Sequence, residues 1–360
     1  MSEQHVNRIS NRLSLRKPQR ESLEILQQIC DIATFEKDAD TKDLLKVIQS
    51  EFAGVTSFDR DFPSLCFALA TGVGKTRLMG AFISYLHLSE GIQDFVVLAP
   101  NLTIYNKLIA DFTPNTSKYV FKGISEFAQN PPVLITGDNY ESGVGVRDSA
   151  LFQDAIHINV FNISKIIGSS KDARKIRRLS ECIGESYFDY LSGLDDLVIL
   201  MDESHRYRAS AGMKAINELK PILGLELTAT PQVEKGSKTE PFQNVIYNYP
   251  IANALIDGYI KEPAVATREN FDASNYSPEG LEEVKLKDGI IIHENTKIEL
   301  EVYARENEQA IVKPFMLVVA QDTNHANDLQ TLMESEDFFE GRYKGKVITV
   351  HSNTKGEEKD

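Results

Sequence analysis

The sequence predicts an α/β protein organised around a parallel sheet. Three observations carry that expectation. Short apolar segments recur at residues 65–69, 95–99, 156–161, 197–201 and 223–227, each rich in Val, Ile, Leu or Phe and most without alternation. Strands buried on both faces have this composition, and they belong to parallel sheets covered by helices. Between them run stretches with helical spacing: Leu78, Met79, Phe82, Ile83 and Leu86 form one stripe within residues 76–88. A glycine-containing turn joins the first strand to that helix.

Composition bounds the function. At 360 residues, 42% apolar and 26% charged, the chain can bury a sizeable core and has room for two to three domains of about 150 residues. Its 39 basic and 53 acidic residues give a net charge of −14, which excludes a broadly polybasic binder. It does not exclude nucleic acid, because contacts depend on local patches. The cysteines, Cys30, Cys66 and Cys182, are odd in number and form no CxxC pair. A disulfide framework and a zinc ribbon are therefore not expected, and a reducing, cytoplasmic compartment fits. The N-terminus has no apolar signal region, and the longest apolar runs fall far short of the roughly 18 residues of a membrane helix, so no membrane partner is expected.

In chain order, residues 1–20 are basic: Arg8, Arg12, Arg16, Lys17 and Arg20 stand against Glu3 alone. A helix is expected over 21–32, with Leu23, Ile25, Leu26 and Ile29 apolar and Pro18 suited to its start. Residues 41–262 read as the α/β domain. Residues 263–310 are polar and read as a linker or insertion; 298–303 fits either a hairpin or a helix. Strand, helix and strand patterns at 315–320, 325–333 and 347–350 read as the start of a second α/β domain, too short to close a sheet.

The strongest motif is Ala70-Thr71-Gly72-Val73-Gly74-Lys75-Thr76, between a predicted strand and a predicted helix. Glycines let the backbone curl so that successive N–H groups point at phosphate oxygens, and the helix N-terminus adds its positive dipole end. Lys75 is expected at the β- and γ-phosphates and Thr76 as a hydroxyl ligand to Mg²⁺. The strict GxxxxGK[ST] pattern has glycine where this chain has Leu69.

A second apolar strand runs into Asp202-Glu203-Ser204-His205. Beside a phosphate loop, Asp202 is the expected Mg²⁺ carboxylate, and Glu203 the group that orients and deprotonates an attacking water. A third strand ends in Thr228-Ala229-Thr230-Pro231. These hydroxyls could be simple caps; beside the other two motifs they read as a coupling element.

This ordered set resembles superfamily 2 helicases and translocases, with motif I at 70–76, motif II at 202–205 and motif III at 228–230. More narrowly, Met201-Asp202-Glu203-Ser204-His205-Arg206-Tyr207 and Leu225-Glu226-Leu227-Thr228-Ala229-Thr230-Pro231 resemble the restriction (motor-nuclease) subunits of type III restriction-modification systems. The resemblance implies a RecA-like P-loop NTPase domain, followed here by the beginning of a second RecA-like domain at 311–360. It implies ATP and Mg²⁺ as cofactors, and duplex DNA and a methylation/specificity subunit as partners, in a bacterial or phage setting. It places Gln19, in the 1–40 segment, as the adenine-reading glutamine. It makes His205 a relay to the DNA grip, and Pro100, Asn101 and Thr103 contacts to the nucleic-acid backbone. Val160-Phe161-Asn162-Ile163 resembles the next backbone-contacting segment, and residues 315–320 resemble motif IV. Full members add arginine-bearing motifs V and VI and a nuclease domain. Neither signature occurs before Asp360, so the chain reads as the N-terminal part of such a subunit, expected to bind ATP but hydrolyse it poorly alone.

The densest basic run spans 171–178 and includes Arg174, Lys175, Arg177 and Arg178. It reads either as a solvated helix face or as a phosphate-backbone contact. Two other readings of the whole chain stand beside the motor: an RNA helicase of the same superfamily, against which Asp-Glu-Ser-His in place of Asp-Glu-Ala-Asp weighs, and a nucleotide-binding interaction module without catalysis.

Overall fold

A computed structural model describes residues 2–144, 146, 155–167, 175–180, 183–235 and 238–350. It divides into two compact units, Met1–Pro263 and Ala264–Asp360. The first opens with helices α1 (Ser2–Arg12), α2 (Lys17–Ile32) and α3 (Thr41–Glu51). Then follow β1 (Ser64–Leu69), α4 (Lys75–Glu90), β2 (Asp94–Ala99), α5 (Leu102–Phe112), α6 (Ser125–Gln129), β3 (Val133–Thr136) and β4 (His157–Asn162). The unit continues through α7 (Tyr187–Gly193), β5 (Val198–Asp202), α8 (Ser210–Asn217), β6 (Leu223–Thr228), the hairpin β7–β8 (Gln232–Lys235, Lys238–Pro241), β9 (Val245–Tyr249) and α9 (Ile251–Ile256).

Seven strands form one sheet in the order β3-β4-β2-β5-β6-β1-β9, every neighbouring pair parallel. All five strands expected from the sequence are present, and they are the interior five. Their side chains alternate between two cores. Phe95, Val97 and Ala99 join Leu65, Phe67 and Leu200 on one face, while Val96 and Leu98 join Ile199 and Met201 on the other. The first core is closed by α1, α2 and α4 through Val6, Ile9, Leu23, Leu26, Leu78 and Phe82, so the N-terminal helices belong to this unit's interior. The second is closed by Tyr187, Phe188, Leu191, Tyr207 and Ile216. The sequence reading missed β3 and β9, which lie at the two sheet edges and are largely half-buried. An edge strand covers less surface and carries a weaker apolar signature.

In the second unit, α10 (Pro278–Glu306) includes residues 298–303, which settles that ambiguity as helix. The polar cluster before it is its start. The Ser277 hydroxyl accepts from the Gly280 N–H at 3.1 Å, and Pro278 occupies the first turn. Helix α11 (Thr323–Met333) packs on it around Leu286, Ile290, Leu329, Met333, Phe338 and Tyr343. The strands expected at 315–320 and 347–350 do not form. No described segment of this unit is a strand that could pair with them, and an unpaired strand has no ladder for its N–H and C=O groups. Phe315, Leu317 and Val319 stand 85%, 78% and 85% exposed.

Candidate functional site

Parallel strands deliver their C-terminal ends to one rim of the sheet, and ligand sites of open α/β folds gather there. At that rim β6 lies between β1 and β5, so the ends of these three strands bring the three motifs together.

The loop after β1 begins where Ala70 N donates to Tyr249 O at 3.0 Å. Leu69, which replaces the first glycine of the strict pattern, is a fully buried strand residue and has no part in the curl. The curl comes from Gly72 (φ +83°) and Gly74 (φ +98°), both in the left-handed region. A Cβ on Gly72 would meet Ile260 at 2.9 Å, and one on Gly74 would meet the Gln19 amide at 2.6 Å. Val73 turns its side chain into the core and anchors the loop, while Thr71 is exposed. Gly74 caps α4, whose first two residues are Lys75 and Thr76.

Gln19 is buried against this loop. Its Oε1 accepts from Arg16 N and its Nε2 donates to Gly74 O, both at 2.8 Å. Arg16 Nη1 donates to Gly72 O at 2.8 Å, and its guanidinium lies over the Tyr259 ring, 5.0 Å from the centroid. Gln19 therefore supports the loop's backbone, and Arg16, Tyr259 and Ile260 flank the loop as well. Sequence reading missed these three because their role arises only from tertiary contact.

From the end of β5, Lys75 Nζ meets Glu203 Oε1 at 3.1 Å. Glu203 sits at φ +50°, ψ 52°, a left-handed conformation that costs a non-glycine residue about 1–2 kcal/mol. Asp202 is buried at 8% exposure, and its Oδ1 has no hydrogen-bond partner among the described residues. Burial, followed by the adjacent Glu203 charge, pushes its carboxyl up to about 6, with Lys75 and Lys107 pulling the other way. A buried, unpartnered carboxylate oxygen and the Thr76 hydroxyl are hard oxygen donors. They suit Mg²⁺, which takes one or two protein oxygens and completes its shell from phosphate and water. No group of three or more His, Cys, Asp or Glu converges among the described residues, so an all-protein metal cage is not what this site offers.

His205 links the second motif to the third. Its Nδ1 lies 2.9 Å from Thr228 Oγ1, 3.3 Å from Thr230 Oγ1 and 3.6 Å from Glu203 Oε2. Burial lowers its pKa below the ordinary value, against the pull of the Glu203 carboxylate. Thr228 Oγ1 also accepts from Thr230 N at 3.1 Å, which folds Thr228, Ala229 and Thr230 into a tight turn after β6.

The expected nucleic-acid contacts lie in varied surroundings. Pro100 is half-buried and Thr103 exposed at the start of α5, where Asn101 Oδ1 is engaged as helix cap by Ile104 N at 2.9 Å. At the end of β4, Asn162 likewise caps the next turn through Ser164 N. Lys175 and Arg178 are exposed. Arg177 is ion-paired with Glu218 at 2.7 Å and stacked 3.6 Å from the Phe188 ring centroid. Arg174 lies outside the described residues, as does Cys182.

A seven-stranded parallel sheet with this loop and this acid pair defines a RecA-like P-loop NTPase of the superfamily 2 helicase type. Residues 12–233 match the family described as type III restriction enzyme, res subunit, and the chain belongs to that family. No curated protein matches the chain. Among solved structures, it is similar to a nuclease-deletion mutant of the Type ISP restriction-modification enzyme LlaGI in complex with a DNA substrate mimic, at 13% identity and TM-score 0.36, covering 72% of this chain and 22% of that one. It is also similar to the Sulfolobus solfataricus SWI2/SNF2 ATPase core in complex with dsDNA, at 16% identity and TM-score 0.30, covering 56% and 34%. A third is the ATP-dependent Type ISP restriction-modification enzyme LlaBIII bound to DNA, at 16% identity and TM-score 0.35, covering 62% and 16%. The chain thus spans between 16% and 34% of the length of these proteins.

Proposed function

We propose that the chain is the ATP-binding part of a DNA translocase or helicase motor in a type III-like restriction subunit. The carrying observation is one continuous polar path: Lys75 to Glu203 at 3.1 Å, Glu203 to His205 at 3.6 Å, and His205 to Thr228 and Thr230 at 2.9 and 3.3 Å. It runs from the phosphate loop to the turn after β6 without leaving the sheet rim.

In this reading the N–H groups of residues 71–76 cradle the phosphates, and Lys75 places its charge on them. Thr76 and Asp202 hold Mg²⁺, which neutralises phosphate charge when bound. Glu203 positions a water and takes its proton, and its interaction with Lys75 holds the carboxylate at the phosphate side. His205 Nδ1 stands within hydrogen-bond distance of both threonine hydroxyls and beside Glu203, so a change in the charge around Glu203 reaches residues 228–230. Gln19 is the adenine-reading glutamine, and Pro100, Asn101 and Thr103 with Lys175, Arg177 and Arg178 contact the DNA backbone. Duplex DNA and a methylation/specificity subunit are the partners, residues 311–360 open the second RecA-like domain, and the setting is the bacterial cytoplasm. Among the described residues no helix is long and apolar enough to cross a membrane.

The test is ATP hydrolysis by the 360-residue chain with and without duplex DNA, beside Lys75→Ala. Nucleotide binding that depends on Lys75 is expected, with turnover weak, because a transition-state arginine from a second domain contributes about 10³–10⁵ in rate in related NTPases. Nucleotide binding unchanged in Lys75→Ala would refute the assignment of the loop. Robust turnover would refute the need for a further arginine, and stimulation by RNA but not by DNA would refute the DNA motor.

A further inference from the structure

Lys107 was not singled out by any motif. It lies on the exposed side of α5, with a side chain 60% accessible, yet its Nζ reaches Thr76 Oγ1 at 3.3 Å. One turn further along the same helix, the nearly buried Asp111 carboxylate lies 4.0 Å from the same Nζ. The Lys107 charge also lowers the pKa of Asp202. Lys107 is thus a second lysine at the phosphate loop, delivered by a different helix from Lys75.

This placement bears on the metal position assigned under the proposed function, and the inference rests on that reading. A hydroxyl oxygen has two lone pairs and one proton. When Lys107 donates to Thr76 Oγ1, one lone pair is used and a full positive charge stands about 3.3 Å from the atom assigned to Mg²⁺. Two cations on one oxygen repel even near solvent at a separation of a few ångströms. Asp111 offers the ammonium an alternative partner within a small rotamer change.

We propose that Lys107 competes with the divalent cation for Thr76 and is handed to Asp111 when the metal binds, making it a positioning residue that sets the magnesium requirement of the site. Helix α5 begins with the segment proposed to meet the DNA backbone. The exchange therefore registers metal–nucleotide binding on the DNA-facing helix.

The experiment follows binding of a fluorescent ATP analogue to the full chain as magnesium chloride is titrated, in wild type, Lys107→Met and Lys107→Arg. Chelation of magnesium by nucleotide in solution is common to all three, so a difference belongs to the protein. The methionine variant is expected to reach half-saturation at about fivefold or more lower magnesium, the scale of one unit-charge repulsion across a few ångströms near solvent. The arginine variant, which keeps the charge, is expected near the wild-type midpoint. An unchanged or higher midpoint in Lys107→Met, or an arginine variant that behaves like methionine, overturns the competition. Absence of nucleotide binding in wild type overturns the nucleotide-site reading itself and this inference with it.

Discussion

At Glu203 the backbone and the chemistry pull in opposite directions. The residue is held left-handed at φ +50°, a conformation glycine adopts without penalty, while its carboxylate faces Lys75. Glu203→Gly is therefore expected to raise the urea unfolding midpoint by up to the equivalent of about 1 kcal/mol, keep nucleotide binding and abolish hydrolysis. A lowered midpoint would show that the Lys75 contact outweighs the strain. Gly74 is the converse case. Its φ of +98° strains any L side chain, and an added Cβ would stand 2.6 Å from the Gln19 amide, which would have to shift. Gly74→Ala is expected to destabilise by more than about 1 kcal/mol and to weaken nucleotide binding, because it displaces Gln19 and the loop backbone together. Calorimetric titration with ATP, beside thermal unfolding, checks both halves of that expectation.

Between elements, a buried ionic network fixes the frame of the site. Glu226 on β6 is fully buried and accepts from Arg60 Nε, Arg208 Nη2 and Ser64 Oγ, each at 2.8 Å. Asn244, just before β9, joins it, and Arg208 also pairs with Asp59 at 2.8 Å and stacks on Phe242. The network ties the turn after Glu203 to β6 and β1, so the spacing of the second and third motifs depends on it. Burial would push the Glu226 carboxyl up, but the two arginines more than offset this and hold it at about 2, below the ordinary 4.5. A depressed pKa means that the stabilisation is complete above about pH 4.5 and is lost as pH falls from there toward 2. Glu226→Gln leaves the buried Arg60 without a carboxylate partner and Arg208 with Asp59 alone. It is expected to cost about 3–5 kcal/mol at pH 7 and to flatten the acid limb of the stability curve, measured by urea unfolding at pH 7 and pH 3.

For the whole molecule, the two units differ in how completely they bury their apolar residues. The first has two cores, one on each face of a continuous sheet, and residues 1–263 are expected to unfold cooperatively and bind nucleotide as the full chain does. The second has one small core, and Phe315, Leu317 and Val319 lie outside it at alternate positions. Exposed apolar side chains on a segment with no paired strand invite association. Residues 264–360 alone are expected to self-associate in light scattering, and the pair Leu317→Lys and Val319→Lys to suppress it; a monodisperse wild-type fragment would contradict this. The interior strands of the first unit were legible in the sequence because burial on both faces leaves unbroken apolar runs. The segment at 315–320 has the same run, and composition alone cannot say whether a partner strand lies beside it.

The sequence by itself determined where the motifs stand: the loop at 70–76, the acids at 202 and 203 and the hydroxyls at 228 and 230 are local patterns, each set at the end of a strand whose composition marks it as interior. Tertiary structure alone decided which groups serve those patterns. Gln19 and Arg16 bond to the loop's carbonyls, Tyr259 stacks on Arg16, Lys107 reaches Thr76, and Arg60 and Arg208 converge on Glu226. These partners are distant in the chain and become neighbours only where parallel strands end at one rim. A side chain's reach of a few ångströms carries information only after the sheet order has placed its target.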